Sequence, residues 1–162
     1  MVMGGMQMGK KLSDELCREN YCKLQELFDS VIEDSGRFKM VYAYGIDVGL
    51  TNAVVLLVST STYASYAVGY DTGANEIVIL PVAMDLSGYG ESIYLKKSEI
   101  KKAKQSFVSK EITIYDNRLP KKYIQLIVPE HINEDEDDVI LLVKQNDEAK
   151  MFQQFFKNQY SR

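Results

Sequence analysis

Residues 111–115 read Glu111-Ile112-Thr113-Ile114-Tyr115, with polar and apolar side chains in alternation. Successive side chains of a β-strand point to opposite faces, so this pattern predicts a strand that is buried on one face and solvated on the other. Strands of this kind favour an antiparallel sheet over a parallel one, which would also need crossover helices between its strands. We find no such helices in the sequence, and an antiparallel sheet is therefore expected.

Seven further segments have the β-rich composition of short strands separated by turn residues. They are Phe38–Tyr44, Ala53–Ser59, Tyr63–Tyr70, Glu76–Val82, Ser92–Lys96 continuing variably toward Phe107, Tyr123–Val128 and Val139–Lys144. Residues 71–75 form the turn between the third and fourth predicted strands. We expect Gly73 to adopt a positive φ in this turn, because glycine has no Cβ to oppose it.

An amphipathic helix is predicted on each side of the β-rich region. Apolar residues recur at helical spacing from Ser13 to about Asp34, with Ser13 as N-cap and Gly36 as the C-terminal stop. We assign residues 10–36 to this N-terminal helix. A second helix is expected from an N-cap at Asn146, and its aromatic stripe is expected to pack mainly against the sheet. The stripe consists of Ala149, Phe152, Phe155, Phe156 and Tyr160.

Composition and chain ends limit the class of protein. The chain has 162 residues, of which 46% are hydrophobic and 26% charged, and its net charge is −4. A single domain is expected, without attraction of the whole molecule to nucleic acid or lipid. Residues 1–9 are rich in Gly and Met and are expected to be disordered, and we recognise neither a signal peptide nor a membrane span. Cys17 and Cys22 lie about 140° apart on the helix and cannot bridge, so a cytoplasmic location is expected.

A stretch from Tyr44 to Val55 contains Asp47, Gly49 and Thr51. It resembles the first phosphate motif of the actin and heat-shock-chaperone ATPase superfamily and the opening strand of small ribonuclease-H-like nucleases. The resemblance implies that Asp47 holds a divalent metal and that the Gly/Thr turn approaches phosphate. However, a long helix precedes the strand, no later Asp-x-Gly-Gly-Gly motif follows, and no carboxylates can be paired with Asp47. A hairpin turn is the simpler interpretation.

Other catalytic patterns are weak. Gly4-Gly5-Met6-Gln7-Met8-Gly9-Lys10-Lys11 has the spacing of a phosphate-binding loop, but Lys11 replaces the hydroxyl residue and only three residues precede Gly4. His131 is the sole histidine, and two cysteines with one histidine at these spacings are too few for a zinc site. We therefore predict no metal, no cofactor and no catalytic residues.

Charge is segregated along the second half of the chain. Residues 96–122 carry nine cationic and three anionic side chains, a local net charge of +6, and an acidic loop at 130–138 follows. Basic residues interleaved with aromatic ones could bind phosphates. The candidate binding residues are Lys96, Lys97, Lys101, Lys102 and Lys104. Alternatively, these lysines form a solvated strand face that discourages edge pairing, and the acidic loop neutralises them.

The order of about seven short strands followed by one amphipathic helix resembles the pleckstrin-homology-like (PH-like) fold in its bacterial versions. The closest segments are Tyr66-Ala67-Val68-Gly69-Tyr70, Ile77-Val78-Ile79-Leu80-Pro81 and residues 95–104, which contain Ser98-Glu99-Ile100. The resemblance lies in the order of strands and helix and covers about 120 residues. It implies an α+β protein in which residues 37–162 form an antiparallel PH-like β-barrel closed by the C-terminal helix. The long N-terminal helix precedes the barrel and lies outside the pattern of this fold.

The resemblance also implies a non-catalytic binding or assembly module, with a protein partner or self-association. The loop that binds phosphoinositides in eukaryotic relatives corresponds to Gly45–Asn52, which has Asp47 and no Lys or Arg, so a phosphoinositide ligand is disfavoured. Contact with a membrane is not expected, and nucleic acid is disfavoured as a partner. Two alternatives remain. The first is a metal-dependent enzyme acting on nucleotides or phosphoesters through Asp47, and the second is a weak polyanion or nucleic-acid binder that uses residues 96–122.

Overall fold

The computed structural model describes residues 10–46, 63–135 and 140–160. Its helices are α1 (Asp14–Val31) and α2 (Asn146–Gln159), and a 3₁₀ turn (Ser35–Arg37) follows α1. The strands are β1 (Lys10–Lys11), β2 (Lys39–Ile46), β3 (Tyr63–Asp71), β4 (Glu76–Val82), β5 (Ile93–Lys96), β6 (Lys102–Gln105), β7 (Ile112–Tyr115), β8 (Tyr123–Leu126), β9 (His131–Ile132), β10 (Glu134–Asp135) and β11 (Val143–Lys144). Within these ranges no helix has both the length and the apolar character needed to span a bilayer.

The strands pair in antiparallel fashion, as the alternation in residues 111–115 predicts. One sheet has the order β2-β3-β4-β5 and a second has the order β6-β7-β8, while β1 pairs with β10 and β9 with β11. Tyr44 and Ile127 join the two larger sheets by exchanging backbone hydrogen bonds of 3.0 and 2.7 Å. The protein is therefore α+β, with a helix, antiparallel sheets and a C-terminal helix. The strands of the described ranges do not close into a barrel.

The four-stranded sheet is covered on both faces. One face packs against α1 through a cluster that includes Phe28, Tyr42 and Leu80. The other face, α2 and the inner face of the three-stranded sheet share a second cluster that includes Ile79 and Phe152. Strands buried on both faces are expected to be continuously apolar. This explains why every residue of β4 is buried, including Pro81.

Helix α1 begins and packs as its sequence predicts. The Ser13 side chain accepts a hydrogen bond from the Leu16 N–H at 3.2 Å, which confirms the N-cap. The buried residues Cys17, Tyr21, Leu24 and Phe28 lie on the face that covers the sheet. The helix ends at Val31, earlier than Gly36 suggested, because Ile32 is already extended and its N–H closes the last turn. Gly36 instead lies in the 3₁₀ turn.

Helix α2 also has the expected aromatic stripe, and Phe152, Phe155, Phe156 and Tyr160 are all buried. Its N-cap, however, is Gln145 and not Asn146. The Gln145 side chain does not cap the helix, because its amide is bonded elsewhere. Its Oε1 accepts from the Tyr42 N–H (2.8 Å), and its Nε2 donates to the carbonyls of Tyr42 (3.0 Å) and Pro129 (2.7 Å).

The outer edge of β2 is thereby closed by three distant parts of the chain. The Tyr21 hydroxyl donates to the Met40 carbonyl at 2.8 Å, Gln145 bonds both backbone groups of Tyr42, and Ile127 bonds both backbone groups of Tyr44. Because unpaired strand edges promote association, these bonds also protect the sheet.

Two details differ from the sequence-based expectations. The left-handed residue of the β3–β4 turn is Asn75 (φ 51°) and not Gly73. Of the predicted strand Val139–Lys144, only Val143–Lys144 is a strand among the described residues. The predicted strand Ala53–Ser59 and residues 1–9 lie outside the described ranges.

Candidate functional site

The five lysines selected from the sequence fall into two groups. Lys96 ends β5 and Lys97 follows it, with its backbone N–H donating to a carbonyl of the β3–β4 turn at 2.9 Å. Lys101 precedes β6, while Lys102 and Lys104 belong to it. All are exposed except Lys97, which is half-buried. The structure thus places two of them at the edge of the four-stranded sheet and three on or next to β6.

Lys102 and Lys104 share a face of the three-stranded sheet with Tyr115. They are two residues apart on β6, and each Nζ lies 5.8 Å from the centroid of the Tyr115 ring. The ring of Tyr123 lies 6.4 Å from that of Tyr115. An ammonium group at this distance from an aromatic face is held by cation–π attraction. Two cations are therefore held beside an aromatic surface at the edge of the three-stranded sheet.

Arg118 does not belong to this basic face. Its guanidinium donates two hydrogen bonds to the buried Asp116 carboxylate, at 2.9 and 2.5 Å, and lies 3.7 Å from Glu99. The Arg118 guanidinium holds the pKa of the Asp116 carboxyl below its usual range. These three residues together carry a net charge of −1, so the positive charge of residues 96–122 comes from its eight lysines, with Glu111 as the one remaining acid.

A groove of about 530 Å³ lies between the β6–β7 connection and α2. We call it the basic groove. It is lined by Gln105, Ser106, Phe107, Lys110, Lys150, Gln153, Gln154 and Lys157. Among the described residues, the lining contains three lysines, four other polar side chains, one phenylalanine and no carboxylate. Lys150 and Lys157 are two turns apart on α2, about 10 Å along the helix axis, so positive charge lines the groove along its length.

The β6–β7 connection ends in an apolar tip formed by Phe107 and Val108. The two side chains are 98% and 89% exposed. The turn is fixed by backbone bonds from the Ser106 N–H to the Glu111 carbonyl (2.8 Å) and from the Lys110 N–H to the Ser106 carbonyl (3.1 Å). Lys110 has a φ of 63°, a conformation that costs a lysine about 1 kcal/mol or more. The hydrogen bonds therefore fix the backbone of the turn, and both apolar side chains are exposed to water.

The predicted neutralisation of the lysines by the acidic loop is not seen among the described residues. There, no ion pair joins a lysine of residues 96–122 to Glu130 or Glu134. Strand β10, within the acidic loop, instead pairs with β1 at the other end of the chain. The remaining acids, residues 136–138, lie outside the described ranges.

The other motifs found in the sequence form no second site in the described part of the chain. Asp47, Gly49 and Thr51 lie outside it, as does the start of the glycine-rich segment at Gly4. The His131 Nε2 lies 3.3 Å from the Asp14 Oδ1. Within the described ranges, no three His, Cys, Asp or Glu side chains are close enough to hold a metal ion. Cys17 is buried and Cys22 exposed, and neither forms a disulfide.

Sequence reasoning missed the α2 side of the basic groove. The one signal in the sequence was their spacing: Lys150 and Lys157 are seven residues apart, which places them on the same polar face of α2, away from the aromatic stripe. Their proximity to Lys110 depends on how α2 lies across the sheets.

Comparison with models of known protein families, with curated proteins and with solved structures finds no match.

Proposed function

We propose that this protein is a non-catalytic binding module that holds an anionic partner in the basic groove. The observation that carries the proposal is the convergence of Lys110, Lys150 and Lys157 on one groove, in which no described lining residue is a carboxylate. Ammonium groups are strong donors to phosphate and carboxylate oxygens, and charge-assisted hydrogen bonds are stronger than neutral ones.

The glutamines add to this chemistry. Gln105, Gln153 and Gln154 present amide groups that donate or accept hydrogen bonds. A ligand with several anionic groups, spaced along about 10 Å, would contact the lysines at both ends of the groove. The groove is open and accommodates an extended ligand better than a small enclosed one.

The layout of the fold supports a binding role. Sheets of four and three antiparallel strands, joined at Tyr44–Ile127 and covered by a C-terminal helix, fit the PH-like architecture that the sequence resembles. We include that architecture in the proposal, with the long helix α1 as an addition that covers the outer face of the four-stranded sheet. In such modules the fold is a scaffold, and function depends on the surface site.

The proposal is tested with heparin as a soluble polyanion. Fluorescence anisotropy should detect heparin binding at about 50 mM salt, and the affinity should fall steeply as the salt concentration is raised to about 200 mM. The variant Lys110→Ala/Lys150→Ala/Lys157→Ala is expected to bind about 100-fold more weakly, since each exposed charge-assisted contact contributes on the order of 1 kcal/mol.

Two matched triple variants locate the site. Replacement of Lys11, Lys23 and Lys121 by Ala removes the same charge outside the groove and should leave binding within about threefold of the parent. Replacement of Lys101, Lys102 and Lys104 by Ala tests the β6 face. If all three triple variants weaken binding equally, the attraction is non-specific and the proposed site is wrong.

A further inference from the structure

The apolar tip at Phe107 and Val108 is not explained by anion binding alone. The two side chains are neighbours at the end of one hairpin, and both are almost wholly in water. Most large apolar side chains of the described residues lie in the two core clusters instead. Contact with Val108 adds no binding energy for a soluble anion such as phosphate. The tip therefore points to a partner that has an apolar interior as well as negative charge.

The charges around the tip fit such a partner. Lys104 and Lys110 flank the tip in sequence, and Lys110, Lys150 and Lys157 line the groove that Phe107 also lines. Glu111 is the nearest acid in sequence, and its carboxylate accepts from the Gln125 side chain on the three-stranded sheet at 3.5 Å. An apolar tip with ammonium groups near it suits the interface of a lipid bilayer, where acyl chains meet anionic headgroups.

We propose that Phe107 and Val108 insert into the surface of an anionic lipid bilayer while the lysines of the basic groove contact its headgroups. This inference rests on the proposed function, because it uses the same groove. It departs from the expectation of no membrane contact, which followed from the net charge of the whole chain. Exposed charges farther apart than about 10 Å are largely screened, so the local lysines and not the total charge decide the attraction.

The chain contains no tryptophan, which gives a direct test of insertion. The variant Phe107→Trp places a single indole at the tip. We expect its emission to shift to shorter wavelength on addition of phosphatidylcholine vesicles containing about one-third phosphatidylserine, and brominated acyl chains should quench it. Vesicles of phosphatidylcholine alone should give neither effect.

Tyr89→Trp is the matched control. Tyr89 is 53% exposed in the β4–β5 connection and does not line the basic groove, so its indole should not respond to vesicles. Equal responses from both positions, or none from position 107, would overturn the lipid inference.

Binding assays separate this inference from the proposed function. Val108→Ser should reduce flotation with anionic vesicles but change heparin affinity less than threefold, because Val108 is 89% exposed and does not line the basic groove. Each groove lysine changed to Ala should weaken vesicle binding about fivefold. Heparin binding without vesicle binding by the parent would overturn the lipid inference and leave the proposed function intact. Vesicle binding that the groove lysines do not affect would also overturn the lipid inference, whereas heparin binding that they do not affect would overturn the proposed function.

Discussion

Gln145 offers the sharpest test of how this fold is held together. Its side chain is fully buried and makes three hydrogen bonds to the backbone of Tyr42 and Pro129. The variant Gln145→Met keeps the volume of the side chain but removes all three bonds. Each buried backbone group that loses its partner costs about 1–3 kcal/mol, and the two bonds to Tyr42 are the buried ones, so we expect a loss of roughly 2–6 kcal/mol. That is a large fraction of the roughly 5–15 kcal/mol that stabilises a typical domain.

Urea denaturation measures this loss. With an m-value of about 2 kcal/mol/M, the midpoint should fall by about 2 M, without a change in m. Gln154→Met, at an exposed position of α2, is the control and should unfold like the parent. A shift below about 0.5 M for Gln145→Met would show that the buried amide does not hold β2, and the reasoning would be wrong.

The charged variant Gln145→Glu adds a pH-dependent check. A carboxylate can still accept from the Tyr42 N–H, but it faces two carbonyl oxygens to which it cannot donate. Burial should raise the pKa of this carboxyl above its unfolded value of about 4.3. The variant should therefore lose stability relative to Gln145→Met as the pH rises above that value. The same difference at pH 4 and pH 7 would contradict this.

Two further predictions concern other contacts. A Cβ at Gly45 would lie 2.1 Å from the backbone oxygen of Gln125, so Gly45→Ala should cost about 3 kcal/mol in urea denaturation, whereas Gly36→Ala, with nothing within 4 Å, should be nearly neutral. A large effect at both glycines, or at neither, would refute this. Because Arg118 lowers the pKa of Asp116, their interaction stabilises the fold above the unfolded pKa of about 3.9 and is lost as the pH falls through the lower folded value. Asp116→Asn should therefore be less stable at pH 7 but lose less stability than the parent on acidification, as measured by thermal unfolding; parallel pH curves would contradict the pairing.

Features that depend on local sequence were predictable. The Ser13 cap, the apolar spacing of α1 and the aromatic stripe of α2 follow from local sequence, and the alternation in residues 111–115 indicates the antiparallel strand β7. The prediction of where each helix begins and ends was less accurate. Gln145 and not Asn146 is the N-cap, and the Gln145 side chain binds Tyr42, 103 residues away in sequence, a contact that no local pattern encodes.

The candidate site was predictable only in part. The charge of residues 96–122 identified one side of the basic groove and included Lys110, but the five lysines chosen were those of β5, β6 and their connection. The other side comes from α2, whose position depends on packing between the two sheets. Phe107 belongs to the same segment, but its exposure results from the turn at Ser106–Glu111 and could not be read from composition.

The closure of the β2 edge has a consequence for biosynthesis. The partners of β2 at this edge come from residues 21, 127 and 145, so the last of them leaves the ribosome after more than a hundred further residues have been translated. Until then the nascent chain displays an open strand edge, the kind of surface that recruits other chains. Premature termination before Gln145 would fix the polypeptide in that state. Fragments of this kind should aggregate during expression, whereas a chain that includes Gln145 conceals the edge.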